Sequence, residues 1–543
     1  MKKITLFLLT ICLSANVFAQ KFKSEIKPLP NEKWYGAYAA KAYCNTPLKD
    51  ITFQPYSANE KKKDLRIDNR GNQAAPLLTS NKGRYVWSEE PFVFEFVNGT
   101  LIIQSDFEKV EVVTSGKTLR DAYVGAKDKF FPATGKTLNP LMYKMPQYNT
   151  WIELGSNQNQ KDLLKYTNDV IKNGFPTGVF MVDDGWANYY GNFEFNLYTF
   201  PDAKAMMDEI HAKGFKTMLW LTPFVSPDSR EFKELSKLKA LVLKKDSNKP
   251  AIVKWWNGYS ACIDFNKPEG VNWLRTKLKS LQTRYGIDGY KFDAADFDFY
   301  QAWAEGTKAP YPNENTNTTG PIQTALFNKF GAEFDFNEFR ASWKNGNQPI
   351  AQRLQDKRYS WDDLKLLVPD MLSAGLIGHP NTCPDMIGGG LLMDFENIDY
   401  KTFDQELMVR SAQTQALMPM MQFSVAPWRV LDEKHLKIVK ESALLHAKMG
   451  DYIYELAQKA AKDGEPIVRH LEYSFPNEGF ESCDDQFMLG DKYLVAPMNS
   501  KGNSRSVKLP KGNWTDELGN KFQGGQIIKI DVPLERLAYF IKQ

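Results

Sequence analysis

From about residue 145 onward, strand-length apolar runs alternate with stretches of helical period, and eight such runs can be counted. They are NTWIELG (149–155), GVFMVDD (178–184), TMLWLTP (217–223), GYKFDAA (289–295), NEFRAS (337–342), IAQRLQD (350–356), PDMIGG (384–389) and PMMQFS (419–424). Alternating strands and helices are the mark of a parallel α/β architecture, and eight strands close a (β/α)8 barrel. The intervening segments support this. In EGVNWLRTKLKSLQTRYG, Val271, Leu274, Leu278, Leu281 and Tyr285 step by three or four residues, one stripe of a helix. EIHAKGF places Gly214 at a helix C-cap, with the next strand following at once.

The flanks read differently. Residues 20–142 carry RYVWSE, FVFEFVNG and TLIIQSD, short strand-like runs punctuated by turns and without a convincing helical period. They predict an N-terminal β-sandwich domain. The barrel is assigned to 143–463, closed by a long helix at about 433–463. Residues 464–543 form a C-terminal all-β (β-sandwich) domain built from IVRHLEYSF, KYLVAPM, RSVKLP and IIKIDVP. PYPNENTNTTG (310–320) reads as a surface loop. At the start, Lys2 and Lys3, the run ITLFLLTICL and Ala19 form a signal peptide spanning 1–19, so export to the periplasm or the outside is expected. The alternative is a lipoprotein anchored at Cys12, although Thr10 and Ile11 are not the small residues such a site prefers. No later stretch approaches the roughly 20 apolar residues a membrane span needs.

Composition removes several function classes. A net charge of +4 over 543 residues, with no long basic block, disfavours nucleic acid as a partner. Cys44, Cys262, Cys383 and Cys483 are scattered without a CxxC pair, which fits buried thiols better than a zinc site. Five histidines form neither HExxH nor a close HxH pair, which argues against histidine-rich metal chemistry and leaves carboxylates to do the chemistry.

In a barrel, chemistry sits at the C-terminal strand ends. Those ends carry Asp183, Asp184, Asp293, Arg340, Asp356 and Asp385, with Trp220 and Trp256 near others. Carboxylates and an arginine fork hold hydroxyls, and indole faces pack on the CH face of a pyranose, so a carbohydrate is the expected partner. Retaining glycosidases need two carboxyl groups about 5–5.5 Å apart, one ionised nucleophile and one acid of higher pKa. A strand-end Asp is more often a helix cap, however, and other barrel enzymes fit the same pattern. Trp151 and Trp343 read as core, and Asp296 and Asp298 as loop or capping groups.

The wording of the blocks narrows the choice. IDGYKFDAAD resembles the nucleophile block of glycoside hydrolase family 31, with Lys291 two residues before Asp293. EFRASWKNGNQPIAQRLQDKRYSWDDL resembles its acid/base block, in which an arginine precedes the catalytic aspartate by sixteen residues, as Arg340 precedes Asp356. MVDDGW, LWLTPF, WWNG and PDMIGGG are similar to sugar-binding blocks and map Asp183, Trp186, Trp220, Trp256 and Asp385, with Asp184 beside them. AAPLLTSNKGRYVWS and DDQFMLGDKYLVAPM extend the likeness over nearly the whole mature chain. The resemblance implies a retaining exo-acting α-glycosidase with Asp293 as nucleophile and Asp356 as general acid/base, a mechanism that requires no metal or organic cofactor. KFDA, QDK and MPMMQFSVAPWR resemble the α-galactosidase branch of the family. Many family α-glucosidases have a substrate-binding histidine where this chain has Ser424, which implies a pocket reshaped for a sugar such as galactose. α-Glucosidase, α-xylosidase, α-glucan lyase and a non-enzymatic carbohydrate-binding protein remain as alternatives.

Overall fold

In the computed structural model, residues 22–40, 55–66, 72–301 and 313–543 are described. The signal peptide, Cys12 and Cys44 lie outside them.

Eight parallel strands form the central sheet: β1 (Gln147–Asn149), β2 (Val179–Val182), β3 (Lys216–Leu221), β4 (Gly289–Phe292), β5 (Asn337–Phe339), β6 (Gln352–Arg353), β7 (Thr382–Cys383) and β8 (Gln422–Phe423). They pair in the order β7-β6-β5-β4-β3-β2-β1-β8, and a parallel bridge between Met386 and Gln422 brings the two ends together. The expected barrel is present. All eight strands are buried on both faces but for Lys216, which is why β2 and β3 read as apolar runs rather than alternating ones.

The surrounding helices follow the sequence cues. Pro268–Tyr285 starts on a proline in its first turn and ends on Gly286 at φ 78°, a left-handed cap that a side chain would disfavour. Leu274, Leu278 and Leu281 of that helix are buried in the barrel core, each contributing about 2 kcal/mol. Val271 and Tyr285 pack at its margin. The helix Ala203–Ala212 ends two residues before Gly214, which sits at φ 92°.

Several expectations need correction. The run at 149–155 is not a strand: β1 ends at Asn149, whose Oδ1 accepts the Trp151 N–H at 2.8 Å, and Trp151–Leu154 is a helical turn. PDMIGG is not a strand either. β7 stops at Cys383, and Asp385 at φ 121° with Gly388 and Gly389 at positive φ prevents extended pairing. No helix lies between β5 and β6. Ser342–Trp343 from that link instead pairs with Gln73–Ala74 of the N-terminal sheets.

The N-terminal region has a four-stranded and a five-stranded sheet, the latter completed by Ser342–Trp343, around a core that includes Phe92, Phe94, Leu101 and Trp343. It also contains a helix, Leu119–Phe130, where none was expected. A capping box between Thr118 and Asp121 starts this helix. Its buried stripe of Leu119, Ala122, Tyr123 and Ala126 has only one large aliphatic residue, so the period was weak in sequence. The C-terminal region has six- and two-stranded sheets around Trp514, Phe540 and Leu494. In the polar segment 310–320, Asn313 and Thr316 are buried, and Asn313 pairs with the Lys254 backbone at 2.7 and 2.9 Å. Cys262, Cys383 and Cys483 are buried free thiols. No helix among the described residues is long and apolar enough to cross a membrane.

Candidate active site

A cavity of about 270 Å³ opens at the C-terminal ends of the barrel strands. Asp183 and Asp184 reach it from just after β2, Trp220 from β3, Lys291 from β4 and Asp293 from just after it, Arg340 from just after β5, and Asp356 three residues beyond β6. Trp256 comes from the turn of the hairpin Ile252–Trp255/Gly258–Cys262 and is 37% exposed, forming part of the rim.

Asp293 is held on both oxygens. Trp220 Nε1 donates to Oδ2 at 2.7 Å and the Ala294 N–H donates to Oδ1 at 2.8 Å. Ala294 and Ala295 lie at φ 57° and 62°, a left-handed turn that non-glycine residues adopt under strain. Burial would raise the Asp293 pKa, but Lys291, Arg340 and Arg353 outweigh it and hold the carboxyl below its ordinary value. Lys291 Nζ pairs with Asp183 Oδ2 at 2.7 Å; against the opposing effect of burial, Asp183 raises the lysine's pKa and keeps it cationic.

Arg340 spans the two candidate catalytic carboxylates. Its Nε is 3.9 Å from Asp293 Oδ1 and its Nη1 donates to Asp356 Oδ2 at 3.2 Å. The same Nε faces Asp296 Oδ2 at 3.2 Å, so Asp296, which lies as expected in a loop at the N-cap position of the turn Phe297–Phe299, also orients the arginine. The guanidinium lies 5.0 Å from the centre of the Trp256 ring.

Arg353, three residues before Asp356, was not foreseen. It is buried at the end of β6, and its Nη1 donates to Asp356 Oδ1 at 2.6 Å and to Asp385 Oδ1 at 3.1 Å. Its Nε faces Glu338 at 3.5 Å. Burial would raise the Asp356 pKa, yet Arg353, Arg340 and Lys291 hold it down at about 2. Two arginines, one on each oxygen, thus oppose the raised pKa expected of the acid. Asp385 takes the opposite course: burial and repulsion from Asp356 push it up to about 7 despite Arg353.

Two expected sugar ligands lie elsewhere. Asp385 is fully buried and off the cavity lining, with Oδ2 accepting the Lys357 N–H at 2.7 Å. Trp186 lines a neighbouring cleft of about 430 Å³ that shares Asp184 and Trp220 with the cavity, and its Nε1 donates to Trp220 O at 2.8 Å. Asp184 forms part of the partition between the two spaces. Its Oδ2 accepts from Tyr190 at 3.0 Å and Asn257 at 2.8 Å, and burial with the Asp183 charge lifts its pKa to about 6.

Trp151, expected in the core, lines the cavity and donates to Gly390 O at 3.0 Å. Trp343 is buried core as expected. Ser424 is buried off the cavity lining, its Oγ accepting the Ile152 N–H at 2.8 Å. It therefore fixes the backbone next to Trp151 rather than facing a ligand. Met386 and Gly390–Met393 complete the wall, with Met393 65% exposed at the mouth. Nothing in their residue types signalled this position, since apolar side chains in a loop resemble ordinary packing.

Comparison with known proteins agrees with this architecture. The model of the glycosyl hydrolases family 31 TIM-barrel domain matches residues 140–456, and that of the family's C-terminal domain matches 464–543. The chain is 31% identical over 408 residues to the myogenesis-regulating glycosidase of Mus musculus, covering 73% of this chain and 56% of that protein. It is 24% identical to an α-glucosidase of Saccharolobus solfataricus, covering 74% of this chain and 62% of that one. It thus spans a little over half the length of these curated relatives. Among solved structures, a Flavobacterium johnsoniae dextranase superimposes with a TM-score of 0.82 at 20% identity, over 96% of this chain and 66% of that chain. An α-xylosidase from a soil metagenome gives 0.79 at 20% identity, over 96% and 79%. With its barrel and C-terminal regions both matched by the family's models, this chain belongs to glycoside hydrolase family 31.

Proposed function

We propose that this chain is a retaining, exo-acting α-glycosidase, and specifically an α-galactosidase. The observation that carries the hydrolase reading is that Asp293 and Asp356 line one small cavity from different barrel strands, with Arg340 between them.

The proposed mechanism has two displacements. Asp293, kept ionised by its cationic neighbours, attacks the anomeric carbon, and the bond to the leaving oxygen breaks as Asp356 gives that oxygen a proton. Asp356, now a carboxylate, takes a proton from water, whose oxygen attacks the same carbon and frees Asp293. Trp220 fixes the trajectory of Asp293 through its hydrogen bond. Asp183, Asp184 and Lys291 bind the ring's hydroxyls, and the indoles of Trp151 and Trp256 cover its apolar face.

Support for galactose comes from the KFDA, QDK and MPMMQFSVAPWR wording and from Ser424. Ser424 holds the Ile152 N–H behind Trp151, and the side chain that lines the pocket there is the Trp151 indole. Aryl α-galactoside, α-glucoside and α-xyloside assayed side by side test this directly. Preference for the galactoside by at least about tenfold in kcat/KM, roughly 1.4 kcal/mol, is the expected result. Preference for the glucoside or xyloside would transfer the activity to the α-glucosidase or α-xylosidase named among similar proteins. Anhydrofructose as product would identify a lyase. We also propose export with cleavage after Ala19, read from the N-terminal pattern and checked by the N-terminus of protein recovered outside the cytoplasm.

A further inference from the structure

Asp356 and Asp385 compete for one cation. Arg353 Nη1 touches an oxygen of each, at 2.6 and 3.1 Å, and Asp385 is wholly buried behind the cavity wall. The groups around this pair come from every neighbouring strand. Glu338 of β5 faces Arg353 Nε, and Lys291 and Asp293 of β4 lie on the cavity side together with Asp183 after β2. Arg340 meets the other oxygen of Asp356, the Lys357–Asp370 ion pair at 2.9 Å lies beyond Asp385, and Cys383 of β7 is its near neighbour in the chain, with a thiol that burial keeps protonated. The Lys357 N–H, in the residue after Asp356, donates to Asp385 Oδ2 at 2.7 Å, so the two aspartates are also joined through the backbone.

One guanidinium nitrogen shared by two carboxylates cannot neutralise both in full. We propose that Asp385 is a positioning residue for the general acid: its buried carboxylate takes a share of the Arg353 charge and so keeps Asp356 able to hold a proton near neutral pH. The inference rests on the reading of Asp356 as acid/base. Asp385, with Arg353 on one oxygen and the Lys357 N–H on the other, is the competing anion. The proton that Asp356 donates as the glycosidic bond breaks is one it takes from the cavity it lines. Without the Asp385 charge, Arg353 would act on Asp356 in full, and Asp356 would take up a proton only at lower pH.

The test is the pH profile of kcat/KM on an alkyl α-galactoside (or the preferred glycoside), whose poor leaving group requires the acid. Asp385→Asn should move the alkaline limb down by at least about one pH unit and lower activity at pH 7 roughly tenfold or more, with a much smaller loss on an activated aryl glycoside. Arg353→Gln should move the same limb up, because the cation holding Asp356 ionised is gone. Opposite shifts support competition for Arg353, since a merely structural role would not separate the two variants by direction. A limb unmoved in Asp385→Asn, or moved the same way in both, overturns it. If Asp385→Asn does not fold by near-UV circular dichroism, Arg353→Gln decides alone: an upward shift supports the proposal, and no shift or a downward one overturns it. Asp356→Asn separates the two levels. If it keeps full activity on the alkyl glycoside, the acid/base reading falls and this proposal with it. If it loses that activity while the other two variants leave the limb in place, only the role of Asp385 is refuted.

Discussion

Trp220 Nε1 donates to Asp293 Oδ2 at 2.7 Å while the Ala294 N–H holds Oδ1 at 2.8 Å, so both oxygens of the proposed nucleophile are held by the protein. A hydrogen bond to a charged group contributes about 1.5–3 kcal/mol. Trp220→Phe should therefore lower kcat/KM roughly 10- to 150-fold on an aryl glycoside, with the fold retained. A change below about threefold would mean that the indole does not orient Asp293.

Gly390 borders the proposed acid. A Cβ at this position would lie 2.5 Å from Asp356 Oδ1 and 2.8 Å from Met386 Cε. The backbone there is not left-handed, so alanine is accommodated by the main chain and the contact falls on the carboxylate. Gly390→Ala should lower kcat/KM on poor leaving groups by about 10² while the urea midpoint changes little. An equal loss on activated and unactivated glycosides would point away from Asp356.

Three histidines should set the acid stability. His379, His446 and His470 are fully buried, and burial depresses their pKa from 6.5 to about 3, 4 and 4. The unfolded chain then binds more protons than the folded one below about pH 6.5, so stability is fully present above that pH and is lost as pH falls toward 4. Each histidine contributes on the order of 3 kcal/mol to that loss. Urea denaturation between pH 7 and 4.5 checks the slope, and His446→Gln should flatten it. A flat profile in the unsubstituted protein would contradict the account.

Away from the cavity, Thr118 caps the helix Leu119–Phe130. Thr118→Ala should remove about 1 kcal/mol of stability, read from the urea midpoint, and leave kcat/KM unchanged.

The barrel was legible because β2 and β3, buried on both faces, read as apolar runs, and because chemistry falls where barrel strands end. That logic found Asp183, Asp293, Arg340 and Asp356, which the fold brings to one cavity. It misplaced β1 and β7 because Trp151–Leu154 and PDMIGG are apolar for another reason: they form a cavity wall and a tightly turned loop. Asp385 was assigned to the sugar because its place in the chain cannot distinguish a carboxylate facing the cavity from one turned behind it to Arg353. Arg353 itself sits in a two-residue strand where a charge is unexpected, and only the fold shows the acidic groups that surround it. The helix Leu119–Phe130 was hidden by a buried stripe made largely of alanine and tyrosine.

The central claim is that Asp293 forms the bond to the sugar. Incubation with a 5-fluoro α-glycosyl fluoride of the preferred sugar, followed by peptide mapping by mass spectrometry, tests it most directly, because the slow second displacement lets the ester accumulate. The account predicts one glycosyl group, carried on Asp293. A label on any other residue, or none while the reagent is turned over, would contradict it.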